Sequence, residues 1–173
     1  MNYKVRYIAS GEEIPAVIKT MRAWFIPPIA ADNPILENMA DYYPAYKNMM
    51  IVAEKAGQIV GGALGYGSNL CIIAVRPEDR MKGLGRRLLQ TFEVGAMKRG
   101  VTMVSLGARK EAKGFYEQVG YSGKSSMHKG LPLPSKSLDW RLRKMDSVIG
   151  NLDKGQELDL DESGRISPLV VKL

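Results

Sequence analysis

The stretch from Leu70 to Gly85, LCIIAVRPEDRMKGLG, decides how this chain reads. An apolar run (Leu70 to Val75) stops at Arg76-Pro77, and a short charged loop follows. Then comes Arg80-Met81-Lys82-Gly83-Leu84-Gly85, after which an amphipathic pattern begins. The order predicts a buried strand feeding a glycine turn at a helix N-terminus. Such a terminus carries unpaired backbone N–H groups and the positive end of the helix dipole, so it suits a phosphate.

Downstream, Leu84, Leu88, Leu89, Phe92 and Ala96 recur at helical spacing, and Gly100 is a stop signal. Gly95 weakens this helix and marks a close approach by another element. Val101 to Leu106 reads as the next strand, which makes a parallel crossover unit with Leu70 to Val75. Upstream, Met49 to Glu54 and Gln58 to Tyr66 read as strands joined at Lys55-Ala56-Gly57, and Gly67-Ser68-Asn69 turns the chain again. Gly62, Gly65 and Gly67 form a G-x-x-G-x-G pattern, but it lies in a strand and hairpin rather than ahead of a helix, so it is no nucleotide loop.

At the start, Tyr3 to Ile8 alternates as a strand. Ser10 and Glu13 form a capping box for a helix from Glu12 to Trp24, ended by Pro27-Pro28. Asp32 or Asn33 caps a second short helix through Tyr42, which Pro44 breaks. The apolar Trp24–Tyr46 region reads as core packing, a dimer surface or an acceptor pocket between the two helices. Beyond the crossover, Glu111 to Val119 is a short helix and Tyr121 to Lys129 a strand. The expected fold is α/β of mixed α+β type: a mixed, mostly antiparallel sheet with helices on both faces.

With 173 residues, 45% hydrophobic and 25% charged, the chain suits a single globular domain. No apolar run nears the ~20 residues of a membrane span. The opening residues lack the apolar core of a signal peptide, and the lone Cys71 fits a reducing compartment, so a cytoplasmic protein is expected. The net charge of +7 points to an anionic partner. No Lys/Arg block with interleaved aromatics is present, which ranks nucleic acid below a phosphorylated cofactor.

Element order and motifs together resemble the GNAT superfamily of N-acetyltransferases. Arg80-Met81-Lys82-Gly83-Leu84-Gly85 matches the family's Arg/Gln-x-x-Gly-x-Gly/Ala acetyl-CoA motif, and Phe115-Tyr116-Glu117-Gln118-Val119-Gly120-Tyr121 resembles its F-Y-x-x-x-G-F/Y signature. The resemblance covers roughly residues 49–129. It implies a sheet splayed between the fourth and fifth strands, acetyl-CoA as co-substrate, and direct acetyl transfer to a primary amine in a ternary complex. It also implies that Ile73, Ala74 and Val75 meet the pantetheine arm, with a backbone N–H at Ala74 or Val75 polarising the thioester. The backbone from Met81 to Arg86 (Met81, Lys82, Gly83, Leu84, Gly85, Arg86) would cradle the pyrophosphate. Arg80 and Lys82 would add charge, with Arg86 or Arg87 near the ribose phosphate.

Tyr116 is the expected catalytic residue, donating to the departing thiolate. Where many members carry Asn, this chain has Arg109, so that contact is lost or replaced, a phosphate being one new partner. No carboxylate lies on the fourth or fifth strand; Glu54, Asp41 and Glu37 are candidate bases, as are water relays. His128 reads as structural or exposed, and Cys71 as a small hydrophobe. The acceptor is a small-molecule or peptide amine, and a homodimer is a candidate assembly. The alternative to an enzyme is a non-catalytic acyl-CoA-binding regulatory module.

The acetyltransferase domain is expected over residues 1–145, with Leu138 to Met145 as a further strand. Residues 146–173 form an extension, read as a hairpin. Asp159 to Ile166 resembles the start of an EF-hand loop, but Val170 stands where a bidentate Glu is needed, and no metal is expected.

Overall fold

The computed structural model describes residues 2–30 and 32–132. Strand β1 (Lys4–Tyr7) leads through a single 3-10 turn into α1 (Ile14–Arg22). Two one-turn helices follow, α2 (Pro34–Glu37) and α3 (Tyr43–Tyr46), separated by a 3-10 turn over Met39–Tyr42. Then come β2 (Met50–Lys55), β3 (Gln58–Tyr66), β4 (Asn69–Val75), α4 (Leu84–Lys98), β5 (Met103–Gly107), α5 (Lys113–Gln118), β6 (Ser122–Gly123) and β7 (Ser126–Gly130).

The seven strands form one sheet in the order β1-β2-β3-β4-β5-β7-β6. Every pairing is antiparallel except β4 with β5. One face packs on α4 through Leu84, Leu88 and Phe92, with Tyr116 of α5 in the same cluster. The other face packs on α1 through Ile14, Val17, Ile18 and Met21, with Leu36 and Met39 beside them. Helices therefore cover both faces, as expected.

Three local expectations need correction. The Ser10 side chain makes no cap bond; instead Glu13 accepts from the Ala9 N–H at 2.9 Å and pairs with Arg6, which draws it away from a capping box. Pro44 does not end the helical region. It occupies the first turn of α3, where proline's missing N–H costs nothing. The expected strand Tyr121 to Lys129 is a tight hairpin of β6 and β7, with Ser122 opposite His128 and a positive φ of 134° at Gly123. The expected strand at 138–145, the extension and the EF-like segment lie outside the described residues.

Two sequence readings acquire a physical reason. A Cβ on Gly95 would lie 1.9 Å from the Asn48 carbonyl oxygen, so only glycine lets α4 sit this low on the chain before β2. In the rejected G-x-x-G-x-G pattern, Gly62 and Gly65 are packing positions: a Cβ would meet Met21 Sδ at 2.7 Å and the Asn69 carbonyl at 2.1 Å.

Candidate active site

The site starts from an irregularity in β4. Leu70 faces Gly65 and Ile72 faces Leu64, so Cys71 is an extra residue in the ladder, a β-bulge. The bulge reverses the alternation: Leu70 faces the α4 side, and beyond it Ile73 and Val75 do so while Ile72 and Ala74 face α1. On its other edge β4 pairs with β5 only at Asn69–Ser105 and Leu70–Leu106. From Cys71 to Val75 the edge toward β5 has no strand partner among the described residues. The two parallel strands diverge at the bulge.

The amide of Arg76 bonds the Val60 carbonyl at 2.8 Å, which fixes which residues turn inward. Antiparallel alternation then directs the backbone groups of Ala74 and Ile72 to β3 and those of Ile73 and Val75 to the open edge. The Val75 carbonyl indeed accepts from Arg80 Nε at 3.0 Å. Of the two amides expected to polarise a thioester, only that of Val75 lies on the open side.

The loop after β4 is pinned by Asp79. Its buried carboxylate accepts from Tyr3 Oη at 2.8 Å, Arg76 Nε at 2.7 Å and Lys55 Nζ at 3.3 Å. Burial alone would raise the Asp79 pKa, but these donors outweigh it and hold it at about 2. The Tyr3 phenol is pushed up to about 12 by burial and by the Asp79 carboxylate. Sequence reading missed this node, because nothing in Pro77-Glu78-Asp79 separates a buried carboxylate from an exposed one.

The turn has positive φ at Met81 (60°) and Gly83 (77°), with Gly83 the residue before the first turn of α4. The first helical bond runs from Arg87 N to Gly83 O at 3.1 Å. The N–H groups of Leu84, Gly85 and Arg86 therefore have no intrahelical partner. At Gly85 a Cβ would meet only Phe115 at 3.7 Å and Val75 at 3.8 Å, ordinary contact distances. The fold tolerates a side chain there; the glycine keeps space open outside the fold.

The basic residues divide. Arg80 is committed to backbone carbonyls, with Nη2 donating to Trp24 O at 2.7 Å besides its bond to Val75. Lys82 Nζ donates to Glu78 O at 2.6 Å. Arg86 is half-buried. Arg87 is buried and its guanidinium makes no hydrogen bond to another described residue; burial lowers its pKa to about 10.

Tyr116 lies in α5 beside Phe115, whose ring sits 3.7 Å from where a Gly85 Cβ would be, at the start of α4; the Tyr116 ring packs edge-on against Phe115 and Tyr121. The Tyr116 ring is buried, and burial pushes the phenol up to about 12. Cys71 is also pushed up, to about 11, by burial. At neutral pH roughly one thiol in 10⁴ would be ionised, too few for a nucleophile.

The candidate bases do not converge. Glu54 is engaged by Arg6 across β1 and β2. Glu37 is exposed and lines a groove of about 770 Å³ between α1 and α2, together with Ile18, Arg22, Ile29 and Leu36. Asp41 is exposed. His128 is exposed on β7, held by Ser105 at 2.8 Å and Ser126 at 3.2 Å. Arg109 has a role of its own: Nη1 donates to Ile26 O at 3.0 Å, Nη2 to Pro27 O at 3.1 Å, and the guanidinium covers the Phe25 ring. Among the described residues no group of His, Cys, Asp or Glu is placed to hold a metal, and no helix is long and apolar enough to cross a membrane.

A family profile described as the acetyltransferase (GNAT) domain matches residues 23–130. The chain belongs to the GNAT family. No curated protein matches it by sequence. Among solved structures it is similar to the polyamine N-acetyltransferase of Drosophila melanogaster, at TM-score 0.63 and 14% identity over 75% of this chain and 100% of the other. It is also similar to Naa20 of Chaetomium thermophilum bound to a bisubstrate analogue, at TM-score 0.60 and 21% identity over 73% and 86%. PaiA N-acetyltransferase of Thermoplasma acidophilum, in complex with coenzyme A, aligns at TM-score 0.58 and 18% identity over 76% and 100%. At these identities the likeness shows the fold, and the diverging β4 and β5 with the glycine turn beyond are this GNAT chain's own version of it.

Proposed function

We propose that this GNAT chain is an acetyl-CoA-dependent N-acetyltransferase acting on a primary amine by direct transfer. One observation carries the reading: a strand edge left open from the Cys71 bulge onward leads straight into a helix N-terminus whose glycine leaves unfilled space. A long ligand with an anionic middle and an amide-bearing arm fits that layout. When bound, acetyl-CoA supplies the acetyl group as a thioester.

The free N–H groups of Leu84, Gly85 and Arg86 would hold the pyrophosphate, with the turn at Met81, Lys82 and Gly83 completing the cradle. Arg86 is the basic side chain best placed to add a direct contact. Arg80 and Lys82 add positive field while their donors stay on backbone carbonyls. Ile73 and Val75 would bond the pantetheine arm, and the Val75 N–H would stabilise the oxyanion; Ala74 contributes through packing.

Tyr116 would donate a hydrogen bond to the thiolate as the C–S bond breaks. Burial holds the phenol at about 12, so it stays protonated and serves as a hydrogen-bond donor to the sulfur. The proton that finally reaches the sulfur comes from the attacking amine, which loses it as the C–N bond forms. Water can relay that proton, since no carboxylate on β4 or β5 is placed to take it.

The test is release of free thiol from acetyl-CoA with a panel of phenethylamine, putrescine, a lysine peptide and a peptide with a free N-terminus. Amine-dependent release with a mass gain of one acetyl on the amine supports the reading. Saturable acetyl-CoA binding without turnover on any amine would assign a regulatory module instead.

A further inference from the structure

We propose that Arg109 is a positioning residue for the acceptor, holding Trp24–Pro27 across the mouth of the gap between β4 and β5; the proposal rests on the acetyltransferase reading. Residues 23–30 contain no helix or strand; Trp24 and Phe25 pack, partly buried, against the core on the α1 side, whereas Ile26 is 86% exposed. A pair of arginines ties its backbone carbonyls. Arg80, just beyond β4, bonds Trp24 O and stays anchored to Val75 O of that strand. Arg109, two residues beyond β5, bonds Ile26 O and Pro27 O and covers the Phe25 ring at 4.9 Å.

The two anchors come from the two strands that diverge. The segment is therefore tied to both sides of the opening where a thioester would lie. Bonds from a charged donor are the stronger kind, and a planar guanidinium can serve two neighbouring carbonyls where an ammonium serves one direction at a time. The tied segment is apolar, Trp24-Phe25-Ile26-Pro27, with Ile26 and Pro27 exposed. Arg109 donates its bonds to Ile26 and Pro27 rather than to the turn at Met81–Gly83, so its loss should act on the acceptor and spare the donor site.

The experiment uses the full chain as wild type, Arg109→Ala and Arg109→Lys. Brief chymotrypsin digestion under native conditions reads cleavage after Trp24 and Phe25. Steady-state assays with phenethylamine read its KM, and thermal shift reads acetyl-CoA binding. In Arg109→Ala, cleavage should quicken at least tenfold and the amine KM rise at least tenfold, with the acetyl-CoA shift and its KM within twofold of wild type. Arg109→Lys, which keeps the charge, should recover less than half of either effect. Unchanged cleavage, an amine KM that stays put, or full rescue by lysine would overturn the proposal. If the unchanged protein binds acetyl-CoA but acetylates no amine in the panel, the enzyme reading fails and takes the acceptor role with it, while the cleavage rates still decide whether the tie exists.

Discussion

Tyr116 shows how a shifted pKa selects among roles. A phenol raised to about 12 by burial stays protonated across the range in which an amine acetyltransferase can work. It can therefore donate a hydrogen bond throughout. Tyr116→Phe should lower kcat by about ten- to a hundredfold, the worth of one hydrogen bond to a charged group, with the acetyl-CoA KM little changed. The wild-type kcat should show no loss attributable to this phenol below about pH 10, because a raised pKa keeps the donor form populated as pH rises. A tyrosine with an ordinary pKa would begin to fail there. Stopped-flow measurement of thiol release over pH 6–10 with both proteins checks the two expectations.

Among the elements, α4 and β4 carry the architecture. Gly95 lets α4 settle against the Asn48 carbonyl, so Gly95→Ala sets a Cβ against backbone that cannot step aside. It should cost on the order of 2–3 kcal/mol despite alanine's better helix propensity, read as a lower midpoint in urea unfolding. The role of Gly95 was legible in the sequence, because glycine weakens a helix and a strong helical pattern that keeps one has something packed close against it. β3, β4 and α4 were legible too, through turn glycines and a 3.6-residue apolar period. The bulge at Cys71 was not: Leu70 to Val75 is apolar throughout, so the reversal of faces leaves no mark in the pattern. Nor was the split of Tyr121–Lys129 into a hairpin, since short strands carry too few alternating positions. At the site, the cradle and Tyr116 came from motif residues, whereas the ties from Arg80 and Arg109 to Trp24–Pro27 are contacts over 56, 83 and 82 positions that only a fold can reveal.

Taken as a whole, the molecule depends on Asp79, which joins Tyr3 just before β1, Lys55 at the end of β2 and Arg76 in the loop after β4. Its pKa lies below the unfolded value of 3.8, so the stabilisation is complete above about pH 4 and is lost as pH falls through about 2. Tyr3 works in the opposite direction. Its raised pKa gives stabilisation below about pH 10 that is lost as pH rises through about 12. Melting temperature against pH should fall at both ends, and Asp79→Asn should flatten the acid limb while lowering the plateau. An acid limb unchanged by that substitution would remove Asp79 from this role. In the proposed enzyme, the turn at Gly83–Gly85 receives the pyrophosphate of acetyl-CoA, in space that the fold itself does not need. Calorimetric titration of acetyl-CoA into wild type and Gly85→Ala decides whether it does. Saturable one-to-one binding to wild type, weakened at least tenfold in a Gly85→Ala protein that melts no lower, is the expected result. Equal affinity in the two proteins, or no binding to wild type, would contradict it.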